Sequence, residues 1–185
     1  MLITVDEATM KPSYFPLSRA QAGFTLVEAL VTFLILAIGL LGLAGLQAKG
    51  LQFDQSAYQR TQAVLLAADI SDRMRANLAT ARASSYTVAF GDAVSSTANC
   101  NTSTCSVATM AKYDLTQWKI ALAQLLPRGD GKIVTTAGVA PAVTATITVH
   151  WDELHSGVTG TACPGDPKTD FACLEINVAL QDPSL

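Results

Sequence analysis

The chain has 185 residues, of which 50% are hydrophobic and 15% charged, with a formal net charge of −3. That length supports one modest globular domain. The acidic balance argues against direct nucleic-acid binding, which needs a dense Lys/Arg face.

Residues 24–46 read Phe-Thr-Leu-Val-Glu-Ala-Leu-Val-Thr-Phe-Leu-Ile-Leu-Ala-Ile-Gly-Leu-Leu-Gly-Leu-Ala-Gly-Leu. A helix needs about 20 apolar residues to cross a hydrocarbon core of roughly 30 Å, and this run is long enough. It contains no Lys, Arg, Asp or Pro, and one acid, Glu28. A secretory h-region is shorter and is followed by a small-residue cleavage site. Here a polar helical pattern continues through Gln47 and Lys49 instead. Lys11 and Arg19 precede the run and Lys49 and Arg60 follow it, so the positive-inside bias is close to even. The four cysteines fall in two sequence-local pairs, which point to disulfides in an oxidising compartment and to an exported C-terminal part. Four cysteines allow three connectivities. Locality alone favours Cys100–Cys105 and Cys163–Cys173. A charge at the bilayer centre costs about 2.5–3.5 kcal/mol on insertion scales, but Glu28 lies near one end of the run, where the cost is lower. Such a residue marks either a partner or a side chain that reaches the interface.

Gly23-Phe24-Thr25-Leu26-Val27-Glu28, opening directly into an apolar helix, resembles the class III signal of type IV pilins and type II secretion pseudopilins. The resemblance implies that a prepilin peptidase cuts between Gly23 and Phe24 at the cytoplasmic face and methylates the new Phe24 amine. Residues 1–23 are then a leader, excluded from the fold. Residues 24–46 are the membrane-spanning or filament-core half of a long helix.

Val64, Ala67, Ile70, Met74 and Leu78 recur at three and four residues, one apolar stripe that leaves Asp69, Asp72, Arg73 and Arg75 mostly outside it. No Pro or Gly falls in 51–82, so one helix from 25 to about 80 is expected, amphipathic over 47–82. Gly39, Gly42 and Gly45, spaced by three, fit either close helix contact or a stretch that loosens during packing. Residues 83–185 are read as the head. The segment 83–111 is a long Ser/Thr/Ala/Asn-rich connection, with a short strand expected at 86–90. A helix is expected over 114–126, with Asp114 and Gln117 as an N-terminal cap, a shared face of Leu115, Trp118, Leu122 and Leu125, and a stop at Pro127, Gly129 and Gly131. Residues 143–151 alternate as a half-buried strand, paired in a hairpin with 131–136 through a turn around Gly138–Pro141. A third strand places Leu174, Ile176, Val178 and Leu180 inward. The fold class is therefore α+β: a long helix packed on an antiparallel sheet with cysteine-bounded loops.

This order resembles the type IV pilin fold as a whole. A closer resemblance is to the PilV-type minor pilins, the type IV pilus modification proteins. It is carried by Ala44-Gly45-Leu46-Gln47, by Asp69-Ile70-Ser71-Asp72-Arg73-Met74-Arg75-Ala76-Asn77 and by the Asp114…Trp118…Leu125…Pro127-Arg128-Gly129 block. The resemblance implies a non-enzymatic minor pilin, first in the inner membrane with a periplasmic head and then in the pilus fibre or its tip. Its implied partners are other minor and major pilins, the prepilin peptidase, the inner-membrane assembly platform and, before assembly, the lipid bilayer. Glu28 lies one turn beyond Phe24 and is the expected assembly residue, through pairing with a Phe24 amine.

The chemistry of other classes is missing from the sequence. No Ser or Cys is aimed at His150 or His155 as a nucleophile. Cys100-x4-Cys105 and Cys163-x9-Cys173 fit zinc spacing poorly. Asp166 and Asp170 supply too few oxygens for calcium and read as a surface turn. No cofactor or metal is expected, and no phosphate-binding or dinucleotide motif is present. Two alternatives stand beside the minor pilin: a minor pseudopilin of type II secretion, and a membrane-anchored module that binds a ligand through 83–111 or 152–172.

Overall fold

The computed structural model describes residues 23–137 and 143–181. The chain divides into two units, Met1–Gln47 and Ala48–Leu185. The elements in order are α1 (Leu26–Ala76), α2 (Leu78–Arg82), α3 (Val107–Leu125), β1 (Asp130–Ala137), β2 (Val143–Trp151) and β3 (Ala172–Ala179). Apart from Gly23, the expected leader lies outside the described residues, as does the turn at Gly138–Pro141.

In the first unit, α1 is apolar on every side, and no residue from Phe24 to Leu46 is buried. It is long and apolar enough to cross a membrane. A Cβ added at Gly39, Gly42 or Gly45 would meet nothing within 4 Å. Packing among the described residues therefore does not account for these glycines.

In the second unit, α1 buries Gln59, Ala63, Leu66, Ala67, Ile70, Ser71 and Met74, a stripe at helical spacing. Val64, expected in that stripe, is half exposed; Ala63 takes the inward position. The helix expected to reach about residue 80 is interrupted at Asn77, whose φ of −119° and ψ of 49° leave helical geometry. At this point Asn77 Nδ2 donates to the Val107 carbonyl at 2.8 Å, while its own N–H still donates to the Arg73 carbonyl at 3.1 Å.

The third helix starts at Val107, where Ser106 accepts the Thr109 N–H, and not at Asp114. Leu115, Trp118 and Leu122 are buried as expected, while Leu125 is half exposed. Trp118 Nε1 donates to the Leu66 carbonyl at 3.0 Å, tying α3 to α1.

The sheet is antiparallel, in the order β1-β2-β3. Ile133, Ala145, Ile147, Val149, Trp151 and Val178 join α1 and α3 in one core. Gly131 allows the close approach of β1 to α3, because an added Cβ would collide with the Trp118 ring. The strand expected at 86–90 reduces to a single bridge between Val88 and Ile133. β2 is not half-buried: Thr148 and His150, on its polar face, are buried too. Phe90 and Phe171 cover His150 from either side.

Candidate functional site

Phe24 lies just before α1 and is exposed, as is Glu28 in the first turn. The Glu28 N–H donates to Thr25 Oγ1 at 3.3 Å, and the Ala29 N–H to the Thr25 carbonyl at 3.2 Å. Thr25 thus caps the helix. The sequence carried that signal in the spacing Thr25-x-x-Glu28, half of a capping box. A carboxylate in the first turn also complements the helix dipole, worth about 0.3–1 kcal/mol. Glu28 therefore has a local role of small magnitude beside any role between subunits.

A second constellation joins distant parts of the head. Arg73 Nη1 donates to Asp114 at 3.1 Å and Arg73 Nε to Asp69 at 2.9 Å. The Tyr86 hydroxyl donates to the other Asp114 oxygen at 2.7 Å, and Asn77 Nδ2 reaches the same hydroxyl at 3.3 Å. Asp114 is no cap. It is a buried carboxylate inside α3 that holds the end of α1 and the start of the long connection. Burial alone would lower the Arg73 pKa, but the bonds to Asp69 and Asp114 outweigh it and raise it. Burial raises the Tyr86 hydroxyl, and the Asp114 bond raises it further.

Two sets of known proteins are similar to this chain. A family model described as the prokaryotic N-terminal methylation motif matches residues 18–44. One described as Type IV pilin Tt1218 matches residues 45–116. Together the two matches support a type IV pilin. No curated protein and no solved structure matches it. The second match ends just past Asp114, so it spans Arg73, Asn77, Tyr86 and Asp114 together. In this pilin the Asp69–Asn77 block holds α3 through Arg73 and Asp114, beside the Trp118 bond to the Leu66 carbonyl.

The pilin carries two disulfides, Cys100–Cys105 and Cys163–Cys173. Closing the second loop, with a sequence separation of 10, contributes roughly 2–3 kcal/mol in the loop-entropy picture. Asp170 serves that loop: its carboxylate accepts the N–H groups of Ala162 at 3.3 Å and Asp166 at 2.9 Å, and the Thr169 hydroxyl at 3.1 Å. Asp152 and His155 share a turn that forms a structural clasp. The His155 N–H donates to the Asp152 carbonyl at 3.2 Å. The buried Asp152 carboxylate accepts the N–H groups of Ser156 at 2.9 Å and Gly157 at 2.8 Å. Burial alone would raise the Asp152 carboxyl, and these bonds hold it below its usual range.

His150 departs furthest from its sequence reading. Its ring stacks on Phe90 at 4.1 Å and lies 4.3 Å from Phe171. Lys132 and Arg128 stand over the outer faces of those two rings. Among the described residues, His150 Nδ1 has no hydrogen-bond partner. Burial pushes the imidazole below its ordinary pKa of 6.5; Asp130 opposes this, and Lys119 and Arg128 add to it. The unfolded chain then binds the proton more readily than the folded one. The stability from a neutral His150 is complete above the unfolded pKa and falls as pH drops below it. Thermal melts at about pH 7.5 and 5.5 should show a loss on acidification that His150→Phe reduces. An equal loss in both proteins would remove His150 as its source.

As a type IV pilin, the chain serves in pilus or pseudopilus assembly, anchored in the membrane by the apolar part of α1. The family points to a structural protein.

Proposed function

We propose that this pilin is a minor pilin of the PilV type that enters the tip complex and primes assembly of a type IV pilus. Residues 1–23 are the leader, 24–46 the membrane and filament-core half of the helix, 47–82 its amphipathic half, and 83–185 a periplasmic head. The peptidase cuts after Gly23 and methylates Phe24. Glu28 then pairs with a Phe24 amine during assembly. Other minor and major pilins and the inner-membrane assembly platform are the partners.

The observation that carries this reading is the juxtaposition at residues 18–44. A methylation-motif match coincides with the apolar run 24–46, whose single carboxylate, Glu28, lies in the first turn of α1. The subgroup rests on the resemblance of the Asp69–Asn77 block, in which Arg73 bonds Asp114 and Asn77 bonds the Val107 carbonyl.

The test is a tagged chain expressed from its own locus, followed into sheared surface fibres, beside a deletion strain scored for fibres and twitching. The tagged chain should be found in the fibre fraction, at fibre ends by immunogold labelling, and the deletion strain should lose most of its fibres. Normal fibres and twitching with a defect in exoprotein secretion would assign the chain to a pseudopilus instead.

A further inference from the structure

β3 has one edge on β2 and one edge that is free among the described residues. The Leu180 N–H donates to the Val143 carbonyl at 2.8 Å. In the register that pairs Thr144 with Ala179, those two residues face each other. Facing pairs in an antiparallel ladder alternate between exchanging hydrogen bonds and not doing so. Val178, Ile176, Leu174 and Ala172 therefore direct their main-chain groups at β2. The N–H and C=O groups of Cys173, Glu175, Asn177 and Ala179 point the other way, along the free edge.

Among the described residues, no strand pairs with that edge. Just ahead of β3 Gly160 exchanges main-chain bonds with Thr169 and Phe171, but this bridge ends before the strand; on the opposite edge of the sheet Val88 exchanges both main-chain bonds with Ile133 within β1. Exposed edges are usually blunted by Pro, Lys, a bulge or short length. β3 has 8 residues in unbroken register and neither Pro nor Lys. Its core-side residues Leu174 and Ile176 are only partly buried, whereas Ala145, Ile147 and Val149 beside them on β2 are fully buried. The sheet's apolar face is thus incompletely covered at this edge. On the other face, Glu175 and Asn177 are exposed and accept the hydroxyls of Thr148 and Thr146.

We propose that the free edge of β3 receives an extended strand from another pilin-class subunit, continuing the sheet. The inference rests on the reading that this chain enters a pilin assembly. Only a second backbone matches the alternating donors and acceptors of the edge. The incoming strand carries apolar residues on the side of Leu174 and Ile176, and a basic or hydroxyl side chain opposite Glu175.

Asn177→Pro tests this with little effect on the fold. It removes an outward N–H and leaves the bonds to β2 in place, which is where strands tolerate proline. Asn177→Ala is the control, since it keeps that N–H. With an unchanged melting temperature, Asn177→Pro should be depleted in the fibre fraction by about tenfold, as expected for the loss of one well-made interface bond. Asn177→Ala should match the wild type. Depletion of both variants alike, or of neither while the wild type is present, overturns the proposal. Absence of the wild type from fibres would instead defeat the assembly reading. Should Asn177→Pro fold poorly, a photo-crosslinking side chain at position 177 serves in its place. Within fibres it should capture another pilin, and fibres that contain the chain without such an adduct overturn the edge proposal.

Discussion

Glu28→Ala is expected to be trimmed and membrane-inserted normally, and to be missing from sheared fibres. Gly23→Leu is expected to remain full length. The two variants separate cleavage from assembly. Cleavage beside a helix entering lipid needs an unobstructed backbone, and Gly23 has no Cβ to obstruct it. The Phe24 amine does not exist until that bond is cut, so Glu28 has no partner there during cleavage. After cleavage the amine is cationic, and pairing it with a carboxylate relieves a burial cost of a few kcal/mol in lipid. Only pairing between subunits would also set the axial register of the filament. The local contribution of Glu28, through the first turn and the dipole, is about 0.3–1 kcal/mol, too small to melt α1. A failure of Glu28→Ala to assemble would therefore not be a folding failure. Mass spectrometry of the N-terminus reads the cleavage, and immunoblots of sheared fibres read the assembly. Normal trimming of Gly23→Leu would sink the cleavage assignment. Wild-type amounts of Glu28→Ala in fibres would reduce Glu28 to a helix-end carboxylate.

Arg73→Ala should cause the largest loss of head stability among single changes outside the apolar core. The pair is asymmetric: the Arg73 side chain is 36% exposed and that of Asp114 only 7%. Removing Arg73 returns a solvated group to water, but it leaves Asp114 buried with the Tyr86 hydroxyl as its remaining donor. A buried charge deprived of its partner costs about 3 kcal/mol. For a domain of this size that corresponds to a fall in melting temperature of about 10 °C. Tyr86→Phe keeps the ion pair and should cost about 1 kcal/mol. Adding Asp114→Ala to Arg73→Ala should recover part of the loss, because the unpaired charge is then gone. A change of less than about 2 °C for Arg73→Ala would show that Asp114 does not depend on Arg73 as its partner in the folded head.

The sequence by itself determined the features whose causes lie within a few neighbouring residues. The apolar run at 24–46 is a matter of length and composition. Thr25-x-x-Glu28 is a helix start written in four letters. The alternations of β2 and β3 follow from a period of two, which is why Ile147 and Val178 could be placed inward from the sequence. The disulfides join cysteines close in the chain, so locality sufficed. The tertiary structure decided wherever the partner lies far off in the chain. Asp114 looks like a cap because Asp favours caps, yet Arg73, 41 residues away, and Tyr86, 28 residues away, make it a buried hub. The helix is interrupted at Asn77, whose side chain is held by the Val107 carbonyl, 30 residues on. His150 alternates with apolar residues as a solvated face should, but Phe90 and Phe171 arrive from other segments and exclude the water. A polar side chain's exposure is set by what is packed over it, and neither periodicity nor propensity carries that information.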